Sequence, residues 1–270
     1  MTDFSSPDAR QNMAAAGHLF GMKGRTVMVT GASSGIGRHA AQLLSAQGAA
    51  VALAARRVET TRRLAGEIVE QGGNAVGVYM DIADPESLRR AFDEAETQLA
   101  APIDVLVNNA GVIYAAKFLE QRVEEMARVI DVNFKGSFMV AQEAARRMAA
   151  RGQGCIVNVG STAGLRAGSY MASYAASKAA LLQLNQVMAL ELAGKGIRVN
   201  ALCPGNIDTD MQAPLAEKGF SEAMRKRTPM RRFGTVSDLN GALLLLCSDA
   251  SAYMTGSIVV VDGGQTLSWM

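Results

Sequence analysis

From Lys23 onward, short apolar or β-branched runs alternate with stretches whose apolar positions recur at helical spacing. The runs predict strands over 25–30, 50–55, 75–80, 103–107, 155–159, 198–202 and 257–261. The intervening periodicity predicts helices near 35–47, 60–71, 85–99, 123–150, 173–194 and 236–248. Several strand runs, such as Val51-Ala52-Leu53-Ala54-Ala55, are continuously apolar rather than alternating. A parallel sheet covered on both faces requires that pattern. Strand–helix alternation with short connections implies right-handed crossovers. The expected fold is therefore α/β: one doubly wound parallel sheet of about seven strands with helices on both faces. No composition break, linker or repeat divides it, so residues 24–270 are expected to form one domain behind an arm at 1–23.

Composition narrows the class. Hydrophobic residues make up 49% of the chain and aromatics 5%, with 27 glycines among 270 residues. Small residues in that proportion suit closely packed helix-on-sheet layers and argue against disorder. A net charge of +2 gives no reason to expect nucleic acid or a membrane surface as partner. The longest apolar stretch, 242–247, is far short of a bilayer span. The first two dozen residues carry Asp3, Asp8, Arg10 and His18 without an apolar h-region, so a secretory leader is not expected. Residues 11–16 of that arm suit a turn or two of helix. Cys155, Cys203 and Cys247 lie far apart with no CxxC pair and read as reduced core residues. A cytoplasmic protein without a metal is expected.

Two patterns carry chemistry. The first strand runs into Thr30-Gly31-Ala32-Ser33-Ser34-Gly35-Ile36-Gly37, where a helix begins. Gly31 permits a tight turn, while Gly35 and Gly37 remove side chains where backbone must approach a pyrophosphate. The helix N-terminus then offers unpaired N–H groups and partial positive charge to phosphate. The spacing is GxxxGxG. The second pattern is Tyr174 and Lys178, four apart on one helix face, preceded by Ser161. An ammonium beside a phenol favours the phenolate and lowers a reference pKa of about 10 toward the working range. Tyr170 competes for the acid role, but its own i+4 neighbour is Tyr174 rather than a cation, so a pocket-lining or packing role at the helix start suits it better.

With Asn108-Asn109-Ala110-Gly111, Asn133 and Pro204-Gly205 falling in order around these patterns, the chain resembles the short-chain dehydrogenase/reductase superfamily over roughly 23–264. The likeness is to its compact single-domain, Rossmann-type branch, which includes 3-oxoacyl reductases and secondary alcohol dehydrogenases. The resemblance implies that Tyr174 protonates a carbonyl oxygen, or takes the proton back in the reverse direction. It implies that Lys178 lowers the phenol pKa and bonds the nicotinamide ribose, and that Ser161 hydrogen-bonds the substrate oxygen. Asn133 would hold a water linking Lys178 to solvent. Gly31, Ser33, Ser34, Gly35, Ile36 and Gly37 would cradle the cofactor, with Asp81 and Ile82 bracketing adenine. Asn108 to Gly111, with Asn109, Ala110 and Gly111 in contact, would floor the ribose sites. Pro204, Gly205, Ile207 and Thr209 would border the nicotinamide. One departure is Gly160, where many relatives carry a second serine. Relatives of this size assemble as homotetramers or homodimers, and Trp269 near the end suits a partner surface or burial in its own subunit.

Cofactor choice is read after the second strand, where NAD users place an acid against the ribose 2′-hydroxyl. Here Ala55 is followed by Arg56 and Arg57. Guanidinium groups form charge-assisted forks to phosphate, so NADP(H) is favoured, with NAD(H) as the alternative. The segment 208–229 should select the substrate, through Met211, Pro214, Leu215, Phe220 and Met224, with Met230 just beyond; Arg166 and Ser169 are candidates for the pocket rim. Arg225-Lys226-Arg227, with Arg231 and Arg232, reads as a solvated face or a docking site for an acidic carrier. Arg146, Arg147 and Arg151 complement a helix dipole. The expected function is NADP(H)-dependent interconversion of a small-molecule ketone and a secondary alcohol. An NAD-dependent sugar, polyol or alcohol dehydrogenase is the alternative, and a non-catalytic NADP(H) sensor is disfavoured because all four catalytic residue types are kept.

Overall fold

The computed structural model describes residues 19–213, 217 and 219–267. Pro214, Leu215, Trp269 and the expected turn at 11–16 lie outside them. Seven strands form one sheet: β1 Thr26–Thr30, β2 Ala50–Ala55, β3 Asn74–Tyr79, β4 Val105–Asn108, β5 Gly154–Val159, β6 Ile197–Pro204 and β7 Ile258–Val261. Their order is β3-β2-β1-β4-β5-β6-β7, and every pair is parallel. The main helices are α1 Gly35–Ala46, α2 Val58–Glu70, α3 Pro85–Leu99, α4 Val123–Ile130, α5 Ser137–Arg151, α6 Ala172–Leu192, α7 Ser221–Arg227 and α8 Asn240–Cys247.

Successive strand residues point to opposite faces, and each face has its own core. Val27, Val29, Leu53, Val107 and Val157 join Leu44, Leu64 and Leu246 from α1, α2 and α8. Met28, Ala52, Leu106 and Ile156 join Phe92, Met148 and Ala189 from α3, α5 and α6. The continuous apolar runs thus have cover on both sides. The strand order reverses between β1 and β4, and the crevice beyond the carboxyl ends of such neighbours is where open α/β sheets take ligands.

Three elements depart from the pattern-based expectation. The helix expected over 123–150 contains a π-helical segment, Asp131–Gly136, between α4 and α5. There the Asn133 amide is drawn to the loop after β4, donating to Val112 O at 2.9 Å and accepting from Val112 N at 2.8 Å. Periodicity does not register such a pull. The segment 208–229, expected only as a substrate loop, includes the short helix α7. The helix expected over 236–248 opens instead as a 3₁₀ turn, Val236–Leu239, fixed by a Thr235–Asp238 capping box.

The basic clusters find specific partners. Arg147 donates to Glu143, Glu96 and Asp93 at 2.8, 2.7 and 2.7 Å, and Arg151 donates to Ile103 O at 2.7 Å. They tie α5 to α3 and the β4 entry rather than merely complementing a dipole. Lys226 pairs with Glu222, Arg232 with Asp238, and Arg225 stacks on Phe233. All three cysteines are buried free thiols. In Leu19–Lys23, the described end of the segment before β1, Met22 is fully buried and its N–H bonds Gln47 O at the end of α1. Among the described residues no helix is long and apolar enough to cross a membrane, and no group of side chains is arranged to hold a metal ion.

Candidate active site

The glycine-rich turn and the loop after β4 are stitched together where β1 ends. Thr30 Oγ1 accepts the N–H groups of Asn109 and Ala110, and Asn109 Nδ2 donates to Thr30 O at 2.8 Å. Gly31 has φ +66, and a Cβ there would stand 2.9 Å from Ala110 Cα; one on Gly37 would stand 2.5 Å from Asn109 Nδ2 and Gly31 O. Only glycine allows this closeness. α1 begins without a side-chain cap from Ser34 and without an acid in its first turn, leaving donors and partial positive charge facing outward.

These donors face a cavity of about 350 Å³, lined by Gly31, Ser33, Ser34, Gly35 and Ile36 from the turn. Arg56, Arg57, Asp81 and Ile82 border it from the ends of β2 and β3, and Asn109 to Gly111 close its floor. Arg57 donates to Ser33 Oγ and Ser34 Oγ, both at 2.9 Å. Arg56 lines the same space with no partner among the described residues. The missing side chains at Gly31 and Gly37, the open helix start and the two guanidinium groups together fit a dinucleotide. Asn108 turns the other way. Its amide donates to Ser137 O and Asn158 Oδ1 inside the core, so it supports the floor from beneath.

A second cavity, about 270 Å³, adjoins the first and shares Ile36, Asn109, Gly111 and Thr209 with it. Pro204, Gly205 and Ile207, from the end of β6 and the loop after it, line this second space. Ser161, Tyr174 and Lys178 meet here. Ser161, beyond β5, bonds the Tyr174 phenol and accepts Ala163 N–H. α6 carries Tyr174, Ser177 and Lys178, all buried. Lys178 Nζ donates to Val159 O at 2.8 Å and lies 5.9 Å from the Tyr174 ring centroid. Asn133 Nδ2 also donates to Ser177 Oγ at 3.1 Å. A Cβ on Gly111 would lie 3.3 Å from Asn133 Oδ1 and 3.6 Å from Lys178 Nζ, so amide and ammonium flank one glycine.

Burial sets the protonation here. It pushes the Tyr174 phenol above its ordinary value, and the Ser161 hydrogen bond pulls only partly back. Lys178 is drawn down to about 8 by the same burial. The expected lowering of the phenol by the neighbouring ammonium is therefore not what governs this site; burial of the phenol does. A neutral phenol follows at neutral pH, the form that donates a proton.

Several side chains reach the site without a motif to announce them. Gln212, Asn206, Gln265 and Thr266 line the second cavity. Cys203, fully buried at the end of β6, fills the room beside Gly160: a Cβ on that glycine would stand 2.7 Å from the sulfur. Burial pushes this thiol up to about 11, and the Ser161 backbone N–H donates to it. A small residue at 160 opposite a cysteine at 203 was the readable signal. Tyr170 has φ +70 and stacks on Phe220 with ring centroids 4.9 Å apart, while its carbonyl accepts Ala116 N–H. It ties loops together and does not line the catalytic cavity; Arg166 does, and Ser169 does not.

A family model described as enoyl-(acyl carrier protein) reductase matches residues 31–266. The 3-oxoacyl-(acyl-carrier-protein) reductase FabG of Aquifex aeolicus is 35% identical over 90% of this chain and 98% of that protein. Galactitol 2-dehydrogenase (L-tagatose-forming) of Cereibacter sphaeroides is 39% identical over 92% and 98%. A crystal structure of a gluconate 5-dehydrogenase from Burkholderia cenocepacia, in complex with NADP and tartrate, is 37% identical and superposes with a TM-score of 0.88 over 92% and 98% of the two chains. The chain belongs to the short-chain dehydrogenase/reductase superfamily. It is an oxidoreductase of that NAD(P)-binding family, whose members act on alcohols and ketones.

Proposed function

We propose that the protein interconverts a ketone and a secondary alcohol with NADP(H). The observation that carries this reading is a buried Tyr174 that shares one cavity with Ser161 and Lys178, adjoining a second cavity bordered by Arg56 and Arg57. When bound, the nicotinamide cofactor supplies or accepts the hydride. Tyr174 gives its proton to the carbonyl oxygen as negative charge develops there, and Ser161 holds that oxygen by a hydrogen bond. Lys178, with a pKa near 8, is placed to return a proton to the phenol. Asn133 Oδ1, on the same glycine as Lys178 Nζ, marks the place for a water that returns protons from solvent. Arg56 and Arg57 grip the 2′-phosphate, and Gly31, Gly35 and Gly37 admit the pyrophosphate to the start of α1.

The substrate is a small, polar molecule. A space of about 270 Å³ is at the lower edge of ordinary small-molecule sites, and amide and hydroxyl groups line it. The galactitol and gluconate dehydrogenases among the relatives support this reading. Exposed Val123, Met126, Phe138, Val187 and Leu190 on α4, α5 and α6, and Val260 on the edge strand β7, support a homotetramer or homodimer. The deciding assay follows NADPH and NADH absorbance with ketones, sugar acids, polyols and acyl thioesters. Turnover that Tyr174→Phe lowers at least about a thousandfold is expected; undiminished turnover in that variant refutes the mechanism.

A further inference from the structure

We propose that the substrate carries a carboxylate, held by Arg166, and a hydroxyl that donates to Gln212. This inference rests on the oxidoreductase reading and narrows its substrate to small hydroxy acids of the aldonate kind.

The catalytic cavity has an uneven electrostatic lining. Among the described residues Arg166 and Lys178 are its only charged ones, and no aspartate or glutamate lines it. Lys178 is buried and spends a proton on Val159 O, at the cofactor side. Arg166 is exposed on the connection between β5 and α6, and its guanidinium has no partner among the described residues. Arg25, Arg147 and Arg232 are answered by carboxylates; Arg166, like Arg56 and Arg57 at the cofactor cavity, is not. An unanswered fork at the mouth of an acid-free concavity raises the local concentration of anions and orients a planar carboxylate through paired N–H bonds. A phosphate dianion is better served by several cations, and this lining offers one at its mouth.

A second observation comes from another part of the chain. Gln212 Oε1, in the same lining, is a buried acceptor with no hydrogen-bond partner among the described residues. A buried acceptor left unmade costs its full desolvation, so such an atom in a binding site marks a donor yet to arrive. A substrate hydroxyl is that donor. Arg166 and Gln212 approach from the connections after β5 and after β6, with Ser161 and Tyr174 in the same cavity. A molecule with a carboxylate at one end and a chain of hydroxyls meets all three demands, and its secondary alcohol or ketone is the carbon that reacts.

The test pairs binding with turnover. Four- to six-carbon aldonates, the matching alditols and the matching sugar phosphates are titrated calorimetrically into the enzyme–NADP⁺ complex, and each is assayed for NADPH formation. An aldonate is expected to bind, and Arg166→Met should weaken it at least about tenfold, through KM with little change in kcat. Alditol binding should not change in that variant, and Arg166→Lys should recover part of the loss. Gln212→Leu should weaken the aldonate but not its deoxy counterpart. Alditols or phosphates binding more tightly than every aldonate overturn the proposal, as does equal weakening of acids and alditols in Arg166→Met. Turnover without a preference for acids removes this inference alone; selective aldonate binding without hydride transfer to any substrate removes the oxidoreductase reading and leaves the anion site.

Discussion

Lys178 is held where its charge is costly: an ordinary value of 10.5 falls to about 8 because the ammonium is buried. Between those pH values the unfolded chain binds the proton that the folded chain has shed, so Lys178 adds stability as pH rises through this window. Cys203, raised from 9.0 to about 11, acts in the opposite sense above the ordinary thiol range. Comparison with Lys178→Met isolates the lysine: in urea titrations the difference in stability should move in favour of the wild type from pH 8 toward 10.5, and a constant difference would contradict the burial assigned here. Cofactor choice is also a matter of single residues. Arg56→Ala or Arg57→Ala should raise KM for NADPH about tenfold or more and leave KM for NADH nearly unchanged, since only the former carries the phosphate; equal effects on both would refute the assignment. Ser161, Tyr174 and Lys178 were legible in sequence because fixed spacing on one helix and one strand end puts them together. Gln212 was not, because it arrives from the loop after β6, where packing rather than spacing decides what faces the cavity.

Among the elements, the sheet was the most legible, since each strand is a run with two buried faces and the helices between them have nowhere else to dock. The α3–α5 contact was not. It turns on Arg147, whose guanidinium binds three carboxylates and lies 5.3 Å from the Phe92 ring centroid. The carboxylates hold its proton far above the usual range despite burial. Arg147→Met should destabilise the fold by about 2 kcal/mol, because Asp93, Glu96 and Glu143 then face one another without a cation. A drop in urea midpoint with an unchanged slope is the expected signature, and an unchanged midpoint would show the cluster to be solvated. The loop carrying α7 escaped the sequence reading for a related reason: its short helix is held by contacts such as Arg225 on Phe233, not by a hydrophobic stripe.

At the scale of the molecule, the two ends of the sheet differ. The carboxyl ends of the strands border both cavities, while α4, α5 and α6 turn apolar side chains outward, Leu190 being 83% exposed. Strand β7, at the edge of the parallel sheet, leaves a second apolar border through exposed Val260. The proposed burial of these surfaces between copies leads to one expectation: Leu190→Glu with Val187→Glu should lower the mass measured by sedimentation, with the monomer's circular dichroism retained. An unaltered mass would place the interface elsewhere. Such surfaces are invisible to pattern reading, because a helix stripe facing a partner subunit has the same period as one facing the core.

The π-helical segment at Asp131–Gly136 gives the helix around it something like a reading frame. An α-helix advances about 100° per residue. Closing the π turns by deleting one residue would restore regular geometry and rotate all of α5 by that angle against α4. Asn133 would then leave Val112, and Arg147, four turns away, would swing off Asp93 and Glu96 of α3. The length of this segment is thus a shared constraint: the residue that positions an amide beside Lys178 also keeps in phase a salt-bridge cluster near the other end of the same helix.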